Sequence, residues 1–229
     1  IQNMANLDFL REGIKNMKLL ELFSGMGKIS KAFSSVGFET YRVDWSEKLD
    51  AELHADVSAL TVEDVIKLCG GVPDVIWASP QCTTYSIATH KHRTLTEGPK
   101  SELAKHDDEV NIKMWKLIDE LVALGTKYYF VENPQGRMRH MKFVKDRPRF
   151  ELTYCSYGNK ANARGYEDLY IMKKTDIWSN HPNPNFLAKC SSPYQHKHGE
   201  WAKAQKRDYL SRGEMPEGLC EHIAQISLK

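Results

Sequence analysis

Lys18-Leu19-Leu20-Glu21-Leu22-Phe23-Ser24-Gly25-Met26-Gly27 sets a short apolar strand directly against two closely spaced glycines. Ile29, Ala32 and Phe33 follow at helical spacing, and that run stops near Gly37. A strand, a glycine turn and a helix in this order let the backbone approach a ligand while the helix N-terminus faces it. The same pattern also serves as an ordinary tight turn. Two further apolar runs end in reactive groups. Val75-Ile76-Trp77-Ala78 leads through Ser79 to Pro80-Gln81-Cys82, and Tyr128-Tyr129-Phe130-Val131 ends in Glu132-Asn133-Pro134. Doubly wound α/β folds bind ligands outside the carboxyl ends of their strands. A glycine turn, a thiol and a carboxylate at three strand ends therefore outline one site.

The segments between fit the same scheme. A strand over Glu39-Thr40-Tyr41-Arg42-Val43 ends at Asp44, and a short one near Leu53-His54-Ala55 ends at Asp56. Thr61 with Asp64 three residues on predicts a capped helix holding Val65, Ile66 and Leu68. Thr83 to Lys100 reads as a polar loop before a helix carrying Val110, Met114, Trp115, Leu117, Ile118 and Leu121. Leu7, Leu10 and Ile14 predict a further helix within residues 1–17. The alternation predicts an α/β fold, a doubly wound and mostly parallel sheet with helices on both faces. After Arg137 the pattern breaks. Phe150 to Tyr154 and Leu169 to Met172 are strand-like runs among Pro, Asn, Gly and basic residues, expected to be irregular or antiparallel and to project from the sheet. The expected division is a cofactor-binding and catalytic domain over 1–157, a small irregular basic lobe over 158–205, and a segment over 206–229 that returns to the catalytic domain.

A length of 229 residues suits one domain with a small lobe, and 41% hydrophobic residues suffice for its core. No stretch approaches the ~20 apolar residues of a membrane span, so no membrane partner is expected. The absence of a signal pattern and five cysteines without regular spacing predict a reducing, intracellular location. Charge is unevenly spread. Arg137 to Arg212 holds 16 Lys/Arg against 7 Asp/Glu, while the remainder holds 16 against 23. A contiguous basic segment on an acidic chain predicts a polyanion-binding surface or, failing that, a solvated basic face. Trp178, Tyr194 and Trp201 interleave with it, as in nucleic-acid surfaces and equally in small cores.

Asp44, ending its strand, suits the hydroxyls of a ribose, and Asp56 an adenine amino group; either also suits a turn or a helix cap. Cys82 emerges between a strand-breaking proline and the polar Thr83, Thr84 and Ser86, a setting for an accessible thiol rather than a core cysteine. Glu132 ends an apolar strand, where desolvation demands a partner or a chemical role. Cys190, His196 and His198, with His181, match no standard zinc spacing, and no metal is expected.

Taken in order, these motifs resemble the DNA (cytosine-5) methyltransferase family, particularly its compact phage forms, over most of residues 18–157. Leu22 to Gly27 is similar to the family's first cofactor motif, Ser79-Pro80-Gln81-Cys82 to its nucleophile motif, and Glu132-Asn133-Pro134 to its Glu-Asn motif. Arg147-Pro148-Arg149 resembles its Arg-x-Arg element, and Leu210 to Ile223 weakly echoes its closing motifs. The resemblance implies a Rossmann-like domain that binds S-adenosylmethionine through Phe23, Ser24, Gly25, Gly27, Asp44, Trp45, Asp56, Val57 and Pro80. It implies Cys82 as the nucleophile toward a cytosine flipped from double-stranded DNA, with Glu132, Arg149 and Arg147 holding the base. Arg137, Arg139, Arg164, Lys173 and Lys174 are the expected phosphate contacts of a monomer working in a bacterial or phage-infected cytoplasm. Gln81 stands where many members have proline, Pro134 where many have valine, and 158–205 is short for target recognition. RNA cytosine methylation, a non-catalytic DNA-binding role and transfer of a modified group are the alternatives.

Overall fold

The structure, a computed structural model, describes residues 17–87, 91–94, 98–158, 170, 172–190 and 215–229. The expected N-terminal helix, Arg164, Tyr194 and Trp201 lie outside these residues.

Strand β1 (Lys18–Leu22) runs into the glycine turn and then helix α1 (Lys28–Ser35). β2 (Glu39–Asp44) and β3 (Leu53–His54) pair in parallel outward from β1 on one side. After helix α2 (Val62–Cys69) the chain crosses β1, and β4 (Val75–Ala78) pairs parallel on its other side. A two-stranded pair of β5 (Arg93–Thr94) and β6 (Gly98–Pro99) follows, then helix α3 (Glu102–Leu124) and β7 (Tyr128–Pro134), parallel to β4. The direction of winding reverses between β1 and β4, so their carboxyl ends flank the topological switch point where such sheets bind ligands. The glycine turn and the Cys82 loop are the two segments leaving that point.

Local chemistry accounts for the boundaries. Thr61 caps α2 with its hydroxyl accepting from the Asp64 N–H at 3.2 Å, while Asp64 accepts from the Thr61 N–H at 3.0 Å. One core cluster packs Ile29 and Phe33 of α1 and Leu219 and Ile223 of α4 (Glu217–Ile226) on one face of the sheet. The opposite cluster packs Val65 of α2 and Met114, Trp115 and Ile118 of α3. The sheet is thus covered on both faces, as its near-continuous apolar strands require.

The segment beyond Arg137 departs from expectation. β8 (Arg149–Thr153) and β9 (Lys174–Ser179) are antiparallel, as allowed for, but they do not project. β9 pairs with β7 and β8 with β9, completing one seven-stranded sheet in the order β3-β2-β1-β4-β7-β9-β8. Residues 174–179 therefore belong to the sheet and not to a lobe over 158–205. Trp178 is a core residue, 1% exposed.

Helix α1 begins at Gly27, which offers no side-chain cap. Glu21 on β1 takes that role: its carboxylate accepts the Ser30 N–H at 2.9 Å and a short hydrogen bond from the Ser30 hydroxyl. Burial pushes this carboxyl from its ordinary value near 4.5 up to about 7, against the downward pull of Ser30 and Arg42; Cys220 of α4 is a further titratable neighbour. A raised folded pKa means that Glu21's contribution to stability is complete below about pH 4.5 and is lost as pH rises through about 7. Urea unfolding across that range is expected to show a falling midpoint, and Glu21→Gln is expected to flatten the fall. Equal pH slopes in the two proteins would disprove this linkage.

Candidate active site

The turn after β1 is bent for close approach. Phe23 has φ 56, a left-handed conformation that a side chain makes costly, and Gly25 and Gly27 continue at φ 52 and 65. A Cβ on Gly27 would also press on the Arg42 side chain at 3.2 Å. Asp44, at the end of β2, locks the turn: Oδ2 accepts the Gly25 N–H at 3.0 Å, and Oδ1 accepts the Ser46 N–H at 3.0 Å. An ionised carboxylate has about four acceptor positions, so Asp44 retains capacity for ligand hydroxyls.

Three further observations suit a nucleoside cofactor here. The Ser24 hydroxyl is buried and has no hydrogen-bond partner among the described residues. Among the described residues nothing lies within 4 Å of the position a Cβ would take on Gly25. Trp45 holds an indole 69% exposed at the end of β2, a surface open to stacking. Asp56 caps a short turn by accepting the Ser58 N–H at 2.8 Å, and Val57 beside it is buried. Pro80 is buried at the end of the neighbouring strand.

Cys82 follows β4 at the start of a 3-10 turn over Thr83–Tyr85. It is the exposed member of five free cysteines, the other four being buried. Although the residue is exposed, desolvation is the largest influence on its titration. Burial pushes the thiol above its ordinary value, Glu132 and Asp107 push the same way, and Lys173 opposes them.

The thiol loop is fixed from two sides. Asn133 on β7, next to Glu132, donates Nδ2 to the Pro80 carbonyl at 3.0 Å. Arg93, fully buried, donates to the Thr84 carbonyl at 2.9 Å and to Asp108 of α3 at 2.8 Å, and stacks 4.1 Å over the Tyr85 ring. Thr84 donates to Asp107 at 2.5 Å. Gly136 leaves no room beyond these contacts, since a Cβ there would meet the Tyr85 carbonyl oxygen at 2.5 Å. Sequence reading missed Arg93: a lone arginine in a polar loop gives no sign of a buried clamp.

Glu132 is 5% exposed and has two partners among the described residues. The Tyr154 hydroxyl donates to Oε1 at 2.8 Å, and the Lys173 ammonium lies 3.7 Å from the same oxygen and 4.5 Å above the Tyr154 ring. Neither Tyr154 nor this role of Lys173 was expected.

The two arginines expected beside the base are placed elsewhere. In register, Glu132 faces Ile177 and Phe150, whereas Arg149 stands opposite Trp178. Side chains alternate along a strand, so Arg149 points to the face opposite Glu132, where it reaches Glu151 at 3.3 Å and Asp176 at 3.9 Å. Arg147 makes a bidentate pair with Asp119 at 2.8 and 2.7 Å and stacks 4.0 Å over Trp115.

The expected phosphate contacts are also mostly spent inside the protein. Arg137 is 3% exposed and bonded to the Ser86 carbonyl, and Arg139 forms a bidentate pair with the buried Asp176. Lys173 is committed to Glu132. Lys174 is exposed. Of the zinc candidates, His181 accepts from the Asn183 N–H at 3.2 Å through Nδ1, while Nε2 lies 3.2 Å from the Ile226 carbonyl; His196 and His198 are outside the described residues. Among the described residues no helix is long and apolar enough to cross a membrane.

No family model matches the chain. It is 27% identical over 166 residues to the probable DNA (cytosine-5)-methyltransferase of Frog virus 3 (isolate Goorha), covering 71% of this chain and 70% of that protein. Among solved structures, the Entamoeba histolytica methyltransferase EhMeth superposes with a TM-score of 0.51 at 12% identity, over 80% of this chain and 57% of its own. A Spodoptera frugiperda DNMT2 mutant gives a TM-score of 0.44 at 16% identity, over 77% and 54%. The chain thus spans little more than half the length of these two solved proteins. With EhMeth it shares the fold.

Proposed function

We propose that this chain, a relative of the DNA (cytosine-5)-methyltransferases, methylates carbon 5 of cytosine in DNA. One observation carries the reading. The Asn133 bond to the Pro80 carbonyl ties the Cys82 loop to the strand end that holds Glu132, beside the glycine turn at the switch point. A nucleophile, a carboxylate and a nucleoside cradle then serve one site at the strand ends.

The cradle of Ser24, Gly25 and Gly27, with Asp44, Trp45, Asp56, Val57 and Pro80, suits S-adenosylmethionine. When bound, that cofactor supplies the electrophilic methyl group that carbon 5 accepts. Carbon 5 of an aromatic cytosine is a poor nucleophile. Addition of the Cys82 thiolate at carbon 6 breaks the aromaticity and gives carbon 5 enamine character. Glu132 accepts from the exocyclic amine and stabilises the ring protonated at N3. After alkylation the carbon 5 proton leaves to a base, the carbon 5–carbon 6 double bond re-forms, and Cys82 is expelled as thiolate. None of these atoms is reachable in a stacked duplex, so the cytosine must flip out at a cost of a few kcal/mol.

DNA is favoured over RNA because the curated relative acts, by its name, on DNA. Incubation of the chain with methyl-labelled S-adenosylmethionine and either mixed-sequence duplex DNA or folded RNA, followed by nucleoside analysis, tests this. Labelled 5-methyldeoxycytidine is expected. Label in 5-methylcytidine would transfer the reading to RNA, and label in neither would overturn it.

The cofactor assignment has its own measurement. Asp44→Ala removes the carboxylate that locks the turn and faces the ribose, and calorimetry is expected to show cofactor affinity weakened by roughly 1–3 kcal/mol. Unchanged affinity would remove Asp44 from the cradle.

A further inference from the structure

Cys82 is asked to attack as a thiolate, yet its surroundings oppose that. Desolvation, Glu132 on β7 and Asp107 on α3 all favour the protonated thiol. In families that use such a nucleophile, an adjacent cation is the usual remedy. Neither Arg147, bound to Asp119, nor Arg149, on the far face of β8, is placed to supply it. The cation set on the Glu132 carboxylate is Lys173, immediately before β9, whose side chain is 13% exposed.

Its setting is specific. The ammonium lies 3.7 Å from Glu132 Oε1, the oxygen that also receives the Tyr154 hydroxyl, and 4.5 Å over the Tyr154 ring. Its backbone is pinned: the carbonyl of Lys173 accepts the Tyr154 N–H at 3.0 Å, and the carbonyl of Lys174, the next residue, accepts the Gln135 N–H at 3.0 Å. The Asn133 bond to Pro80 holds the thiol loop against this same strand end. Lys173 is also the leading charge that lowers the Cys82 thiol.

We propose that Lys173 is a positioning cation for the nucleophile: paired with Glu132 at rest, it is left to stabilise the Cys82 thiolate once a base occupies the Glu132 carboxylate. The logic is electrostatic. With the site empty, the Lys173 and Glu132 charges largely cancel at the sulfur. When Glu132 hydrogen-bonds a base protonated at N3, the carboxylate is neutralised by that base, and the lysine field acts on the thiol with less opposition. Activation of the sulfur is thereby coupled to filling of the pocket, which protects an exposed cysteine from adventitious alkylation. An opposite charge at close range shifts a titration by ~1–3 pH units. The inference rests on Cys82 being the nucleophile of the proposed reaction.

The test needs no methyl transfer. The rate of carbamidomethylation of Cys82 by iodoacetamide is measured against pH on the full chain, with the alkylated cysteine located by peptide mass; the sulfur displaces iodide, so the rate follows the thiolate. Lys173→Met keeps the apolar stem and is expected to move the midpoint up by about one pH unit, and Lys173→Arg to restore it. Glu132→Gln is expected to move it down. A structural role for Lys173 alone would alter urea unfolding without moving the midpoint. A midpoint in Lys173→Met within ~0.2 pH units of the parent, with Cys82 still alkylated, would overturn the proposal. Because Cys82→Ser is assayed separately by methyl transfer, failure of the nucleophile assignment and failure of the lysine assignment are distinguishable.

Discussion

Cys82→Ser is expected to lower methyl transfer by roughly 10³-fold or more while leaving DNA affinity within about twofold. The hydroxyl of serine ionises so far above neutral pH that it cannot replace a thiolate at carbon 6, and Lys173 cannot bridge that gap. Binding is spared because the residue is a single small side chain on a loop held by its neighbours: Arg93, Thr84 and the Pro80 carbonyl carry the hydrogen bonds, and the Cys82 sulfur carries none of them. The chemistry offers a direct readout. DNA containing 5-fluorocytosine should stall on the enzyme as a covalent adduct, because fluorine does not leave carbon 5 as a proton does. The adduct should vanish in Cys82→Ser. With Cys69, Cys155, Cys190 and Cys220 all buried, peptide mapping has one expected answer. An adduct that persists in the serine variant, or that maps to Cys155, would defeat the assignment.

The parts of this architecture that local chemistry specifies are legible in the chain. The glycine turn needs left-handed backbone at Gly25 and Gly27, the Thr61–Asp64 pair writes its own capping box, and β1, β4 and β7 are buried on both faces and so read as largely apolar runs, interrupted by Glu21 in β1 and closed by Glu132 and Asn133 in β7. β9 was not legible for a physical reason. Lys174-Thr175-Asp176-Ile177-Trp178-Ser179 buries Asp176 in mid-strand, and the charge is tolerated because Arg139 covers it with two hydrogen bonds from a distant segment. A one-dimensional pattern sees the carboxylate and not its partner.

The same blindness governs the charges. The count of 16 basic against 7 acidic residues between Arg137 and Arg212 suggests a broad phosphate surface. In three dimensions Arg147 meets Asp119 of α3, Lys173 meets Glu132 of β7, and Arg139 meets Asp176. Charge tallies locate polyanion surfaces only when the partners lie in the same stretch. Here two of the three partners come from the acidic half of the chain. The site shows the converse. The thiol and carboxylate were legible because strand ends advertise them, whereas Tyr154 and Lys173, which set their electrostatics, come from segments whose placement depends on β8 and β9 joining the sheet.

Glu132→Gln separates action on the base from action on the sulfur, and is expected to lower single-turnover methylation by ~10²–10⁴-fold. Glutamine is nearly isosteric, and its amide oxygen can still accept the Tyr154 hydroxyl, so folding and the position of β7 should survive. What it loses is the negative charge. A neutral amide stabilises a ring protonated at N3 far less well than a carboxylate does, and the barrier to thiol addition rises with it. At the sulfur the effect has the opposite sign: removing an anion that pushes the thiol up, while leaving Lys173 in place, enriches the thiolate. The variant should therefore alkylate Cys82 faster with iodoacetamide at neutral pH, yet form the 5-fluorocytosine adduct far more slowly. A more reactive thiol in a slower enzyme can arise only if the carboxylate works on the base. If instead adduct formation and alkylation both quicken, or if methylation stays within about threefold of the parent, Glu132 is a partner for Lys173 and nothing more.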